Sequence, residues 1–257
     1  MRHALTWLLL GLLSIALTVA VFFPAAWLGQ LLEKQTQGRL ALGDAQGTIW
    51  NGSAFIGGAP NKSDPVTPLL PGRFSWHLSP MVLLGQVDLT LENPSALSQA
   101  IHVTGTWSQW QVSPSTILLP AERLSALGAP LNTVQLTGQM RLSWTPLQLV
   151  RQGIKLGING VMHLDMHEIA SRLSAIKPLG AYSLTLNWQD QKADLTLKTV
   201  KGPMLLSGTG NLIDGRLQFS GTAEAEKGQE ERLAVLLNLL GQRRREGNKN
   251  MIALEFK

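Results

Sequence analysis

The chain has no cysteine, a single tyrosine, and only 15% charged side chains among its 257 residues. Without cysteine there is no thiol nucleophile, no disulfide framework and no thiolate metal ligand. An oxidising compartment stays compatible, since it permits disulfides without demanding them. A Gly-x-Ser-x-Gly elbow is missing, and "GGAPNKS" is not a phosphate loop, because Asn61 stands where the glycine before Lys62 is required. The net charge of +5 and the pI near 9.7 come from scattered residues. Their one dense run is Arg243 to Arg245, with no aromatic interleaved as a base-stacking platform would need, so it reads as a solvated turn and not as a nucleic-acid site.

The scarcity of charge is concentrated in one place. Ala4 to Phe23, "ALTWLLLGLLSIALTVAVFF", has no ionisable side chain, and its 20 residues as a helix would span about 30 Å, the thickness of bilayer hydrocarbon. A cleaved secretory signal would have a shorter apolar core of roughly 7 to 15 residues. Thr18 and Ala20 leave a cleavage site as the rival, but the length favours an anchor. Arg2 precedes the stretch and Glu33 is the first charge after it. Positive charge stays on the cytoplasmic side, so residues 1–3 are expected inside and the body outside the cytoplasm.

Pro24 can open a new helix, Trp27 sits at interface depth, and Leu28, Leu31 and Leu32 follow at helical spacing. A juxtamembrane helix is therefore expected over 24–37. Beyond Gly38 the period changes to two. Val134, Leu136, Met140, Leu142 and Trp144 alternate with polar residues, as do Val87, Leu89 and Leu91, and Tyr182, Leu184, Leu186 and Trp188. Short turns such as "QDQKAD" and "IDGR" make these hairpins, so 38–257 is expected to be a curved antiparallel sheet, apolar on one face. Covering helices are expected at "PAERLSALG", "DMHEIASRLSAI" and "EERLAVLLNLLGQ", and "MIALEF" as a last strand. "GRFSWHLSPMVLLGQVDLTL" is echoed by "GQMRLSWTPLQLVRQGIKLGI", each a strand ending in Ser-Trp, then proline, one helical turn and a further strand. That echo suggests a duplicated sheet unit.

Little of this carries chemistry. In "HLDMHEIA", four-residue spacing could set His163 and His167 on one helical face with Asp165 or Glu168 as oxygen donors, but the zincin order needs Glu directly after the first His. With His163 closing a strand and Asp165 capping the next helix, surface residues are the better reading, and no metal or cofactor is expected. Trp76, Trp144 and Trp188 fall on apolar strand faces as core filling. Trp107 and Trp110 are three apart and face opposite ways, which makes Trp110 the candidate contact residue, with core filling as its rival.

"GTIWNGSAF", Gly47 to Phe55, puts a tryptophan between two glycines. Read as a strand, it turns Thr48 and Trp50 to one face, and the glycines permit a bulge or close approach that Trp50 covers. Together with the residues around it, this stretch resembles the type II secretion system protein N family, also called general secretion pathway protein N. The resemblance rests on Pro24, Ala26 and Trp27, on Gly38 with Arg39, on Gly47, Thr48, Trp50, Gly52 and Ala54, and on Pro71, Gly72 and Trp76. It implies a single-pass inner-membrane protein of Gram-negative bacteria with a periplasmic β-rich domain. Such a protein is an accessory part of the machine that exports folded proteins, touching subunits of the inner-membrane platform or the outer-membrane secretin side. It implies no catalytic residue. A looser likeness, in "LLNLLGQRRREGNKNMIALEF", is to AsmA-like periplasmic proteins, which implies membrane lipid as the partner of an apolar sheet groove.

Overall fold

The computed structural model describes residues 7, 10–12, 14–15, 18–19, 21–36, 38, 40–58, 66–127, 131–153, 155–213, 216–246 and 249–256. Helix α1 (Ala26–Gln35) leads into β1 (Leu40–Gly47), β2 (Asn51–Gly58), β3 (Thr67–Pro68) and β4 (Phe74–Leu78), then a 3-10 turn at Pro80–Leu84. There follow β5 (Gln86–Glu92), β6 (Ile101–Thr106), β7 (Gln109–Val112), β8 (Ser115–Pro120), a 3-10 segment at Ala121–Leu127 and the short α2 (Leu131–Val134). Next come β9 (Leu136–Trp144), β10 (Leu147–Gln152), β11 (Lys155–Ser171), β12 (Gly180–Asp190), β13 (Lys192–Lys201), β14 (Met204–Ile213) and β15 (Arg216–Ala225). Helix α3 (Glu230–Leu240), β16 (Gln242–Glu246) and β17 (Lys249–Phe256) complete the order.

All of these strands belong to one 17-stranded antiparallel sheet. Antiparallel pairing runs as a meander from β1 and β2 through β4, β5, β6, β7, β10, β11, β12, β13, β14 and β15 to β17 and β16. The interrupted strands have a common cause. β7 and β8 are one line broken at Ser113 and Pro114, and β9 and β10 are one line broken at Thr145 and Pro146. Proline cannot donate to a ladder, so both lines break at the same level and the sheet turns a corner. The Trp144 indole plugs the corner, its Nε1 donating to Ser113 O at 2.9 Å.

The corner brings Phe74 and Ile101 from one half against Trp144 and Leu147 from the other, with Leu97 and Leu70 filling between them. Helix α3 covers the far end. Its Leu233, Leu236 and Leu237 pack on Met204, Ala223, Ile252 and Leu254, as its three- and four-residue spacing dictates. Between these two clusters lies a third around Met140, Ile169 and Tyr182, with Ala121 and Leu124 of the 3-10 segment laid across it.

The alternating faces are as the sequence predicts: Met162, Leu164 and Met166 stand opposite Leu186, Leu184 and Tyr182, which stand opposite Leu195, Leu197 and Thr199. Two expected helices are absent. Asp165 to Ser171 continues β11 between β9 and β12, and "TPLQLVRQG" runs on as β10. In the first case a bulge at His167 and Glu168, with Glu168 at φ 50°, puts Met166 and Ile169 in the same cluster at a spacing of three, which imitates a helix. In the second, β7 offers an edge to pair with. Its counterpart at Pro80 is helical because Ser79 Oγ caps Met81 N–H and Gly85, at φ 95°, stops the turn. The strand expected from Val134 begins at Leu136, Val134 itself closing α2.

The expected membrane segment, 4–23, falls partly outside the described residues; Trp7, 10–12, Ser14, Ile15, Thr18, Val19 and Val21 are helical. Among the described residues no helix is long and apolar enough to cross a membrane.

Tyr182 is 3% exposed and donates its hydroxyl to Met204 O at 3.0 Å. Burial pushes the phenol well above its ordinary range. Because the folded value is the higher one, this group's contribution is complete below about pH 10 and is lost as pH rises beyond it. Tyr182→Phe should cost about 1 kcal/mol at neutral pH in urea unfolding of the detergent-solubilised chain, and should remove that alkaline component. Tyrosinate absorbance rising near pH 10 in the still-folded protein would overturn the assignment.

Candidate functional site at the N-terminal end of the sheet

Gly47 pairs with Gly52 to close the β1–β2 hairpin, so the chain turns through Thr48, Ile49 and Trp50 instead of running as one strand, and Asn51 already opens β2. Thr48 N–H donates to Asn51 O at 2.8 Å and Asn51 N–H to Thr48 Oγ1 at 3.2 Å. Gly47 holds φ 82°, a region costly for residues with a Cβ. Gly52 has no room for one: a Cβ there would meet the Trp76 ring, and Gln46 O and Thr48 O at 2.7 Å each. The ring that covers this glycine is therefore Trp76 and not Trp50. Trp76 Nε1 donates to Thr48 O at 3.2 Å and Ile49 O at 3.1 Å, satisfying two turn carbonyls at once.

The same turn receives the chain from the N-terminal segment. Pro24 bridges Thr48, Ile49 N–H donates to Phe23 O at 2.9 Å, and Ala25 N–H donates to Gly47 O at 3.1 Å. Ala26 and Trp27 open α1, where Trp27 is 57% exposed with the Phe23 ring 5.4 Å away. Helix α1 then lies along β1, its buried Gly29 facing Leu42, whose Cβ would stand 3.6 Å from a Cβ placed on that glycine.

The remaining signature residues sit farther along the strands. Gly38 turns the chain at φ 83°, and Arg39 lies outside the described residues. Ala54 is fully buried. Pro71 and Gly72, the latter at φ 71°, pack on Asn93, which is 2% exposed. Asn93 Nδ2 donates to Pro71 O at 2.9 Å, and its Oδ1 accepts from Ser95 N–H at 2.9 Å and Ala96 N–H at 3.1 Å. The sequence reading missed Asn93; the Asn-Pro dipeptide at 93–94 was the available turn signal. Beside it, Arg73 stacks on Phe55 at 4.6 Å and donates to Asp44 O at 2.8 and 3.0 Å and to the Asp44 carboxylate. The Gln46 amide and then the Arg73 guanidinium hold that exposed carboxyl below its usual range.

The polar face is a lattice of hydroxyls and amides. Thr116, Ser143, His163, Thr185, Thr196, Thr209, Ser220 and Glu255 stand opposite one another across successive strands. His163 contacts Thr185 Oγ1 at 3.2 Å. His163 and His167 share one strand, where four residues span about 13 Å, too far for one ion. Among the described residues no three His, Asp or Glu side chains could hold a metal. Trp110 is half-buried on the apolar face, and its neighbour Trp107 is the exposed one at 57%. Helix α3 fills the apolar face opposite β14, β15 and β17 and so closes that part to an acyl chain.

Trp76→Phe leaves two carbonyls without a donor and should cost about 1–3 kcal/mol. Gly52→Ala should cost at least as much, whereas Gly43→Ala, whose Cβ would make only ordinary contacts at 3.9 and 4.0 Å, should stay within about 1 kcal/mol. Thermal unfolding of the three variants checks the order; a tolerated Gly52→Ala would refute the account of the turn.

Nothing among curated proteins or solved structures matches this chain. A family model described as Type II secretion system (T2SS), protein N matches residues 38–250, which contain the hairpin, the Trp76 contact, the strands from β1 to β16 and α3. The chain belongs to the type II secretion system protein N family.

Proposed function

We propose that this protein is a non-enzymatic accessory subunit of the type II secretion machinery, held in the inner membrane by Ala4 to Phe23 with its amino terminus cytoplasmic and the sheet periplasmic. Membership of the protein N family carries the reading. Its work is to bind other subunits of the apparatus through the sheet.

The edges favour one mode of contact. On β1, Thr36 Oγ1 takes Leu40 N–H at 3.1 Å and Leu40 O at 3.2 Å, Arg73 takes Asp44 O, and Ala25 takes Gly47 O. That edge is stopped. Among the described residues β16 pairs only with β17. Glu246 pairs with Lys249 across only two intervening residues, which makes them a hydrogen-bonded pair. Glu246, Arg244 and Gln242 then direct their main-chain groups to β17, and Arg243 and Arg245 direct theirs outward. An outward row of main-chain donors and acceptors of this kind takes an extended segment of a partner subunit by strand addition.

Arg243→Pro with Arg245→Pro removes outward donors and spares the β17 bonds, whereas lysine at both positions keeps charge and donors. The proline variant should lose export of a secretion substrate in a deletion strain, and the lysine variant should restore it. Full export with the proline variant would refute strand addition, and full export by the deletion strain would refute the subunit role.

A further inference from the structure

Alternate turns of a meander lie at the same end of a sheet. The turns at 48–51, 79–85, 107–108, between Gln152 and Lys155, at Gln191, and between Ile213 and Arg216 therefore share the end at which the N-terminal segment joins. They are tied into a rim. Ile49 N–H donates to Phe23 O at 2.9 Å, Leu78 N–H to Trp50 O at 2.7 Å, Trp107 Nε1 to Val82 O, and Arg151 N–H to Ser108 O at 2.7 Å. Gln152 Nε2 then reaches Asp190 Oδ1 at 3.0 Å.

This rim carries the wrong side chains for water. Leu84 is 77% exposed, Leu83 60%, Met81 46% and Trp107 57%, all on two adjacent tips. Farther along, Leu156 and Leu217 are 47% and 40% exposed. Scattered apolar residues are ordinary on a surface, but a cluster with an amphipathic indole at its edge is the composition of a bilayer interface. Exposed Arg151 and Arg216 flank these turns, and Lys192 pairs with Asp194 at 2.9 Å. Basic residues beside an apolar tip suit anionic headgroups. The apolar stretch that ends at Phe23 leaves from this same rim.

We propose that the rim is a second membrane contact: the tips at Met81 to Leu84 and at Trp107 insert to interface depth in the phospholipid bilayer that holds the N-terminal segment. The proposal rests on the anchor reading given above. Two attachments fix the tilt of the sheet, where the segment alone would hold it at a single point. The polar face and the β16 edge are thereby presented in a set orientation.

The absence of native cysteine makes the test direct. Single-cysteine variants of the full chain, Leu84→Cys at the rim, Ile15→Cys in the N-terminal segment and Val200→Cys, are labelled with an environment-sensitive fluorophore. Val200 is 67% exposed and lies about 30 Å along β13 from the Gln191 turn. The labelled chains are reconstituted into vesicles of phosphatidylethanolamine and phosphatidylglycerol containing a spin-labelled phosphatidylcholine quencher. Quenching at Leu84 several-fold above that at Val200, together with quenching at Ile15, is the expected result. Quenching at Ile15 with Leu84 no different from Val200 overturns the rim contact, leaves the anchor standing, and points to a protein as occupant of the patch. No quenching at Ile15 refutes the anchor reading and the rim proposal with it. Leu84 is so exposed that its replacement should not disturb folding, and Leu83→Glu in the Leu84→Cys chain should weaken quenching at the tip alone.

Discussion

A single sheet with one apolar face has no second sheet to bury that face against, and the rest of the architecture answers this constraint. Two devices meet it. The sheet turns a corner at Pro114 and Pro146, so that Phe74 and Ile101 come over Trp144 and Leu147, and α3 closes the far end with Leu233, Leu236 and Leu237. Each device depends on the other, because a corner shields only strands near it and a helix of eleven residues covers only a few strands.

Tryptophan serves the irregular places. Trp76 lies over Gly52 and bonds two turn carbonyls; Trp144 bonds the carbonyl left at Ser113 beside the proline break. In both, a large apolar ring fills space where the ladder stops and its one donor satisfies an acceptor that the ladder has abandoned. The same economy applies at Asn93, whose amide holds Pro71 and the turn after it. These contacts make the family's glycines and tryptophans structural residues. The surfaces proposed for contact lie elsewhere, on the β16 edge and the apolar rim.

The arrangement has a direction. The N-terminal segment, the Gly47 to Gly52 turn and the exposed tips at Leu84 and Trp107 are at one end, while the covering helix α3 starts beyond the opposite end of β15. On the proposed reading, this direction separates attachment from presentation. The chain's low charge belongs largely to the attachment end, and its hydroxyl and amide rows to the sheet that projects from it.

What the sequence determined by itself was local. Alternation in Tyr182 to Trp188 and in Val87 to Leu91 set the faces of those strands, and the spacing of Leu233 to Leu240 set α3. Only the tertiary structure decided that Trp76 and not Trp50 covers Gly52, that Leu147 to Gln152 pairs with β7 instead of coiling, and that Asp165 to Ser171 extends a strand through a bulge. The reason is physical. A period of two or of 3.6 residues is written in neighbours along the chain, whereas a free strand edge, a covering ring or an available carbonyl is supplied by residues far away in sequence, and its presence is settled only when the sheet assembles.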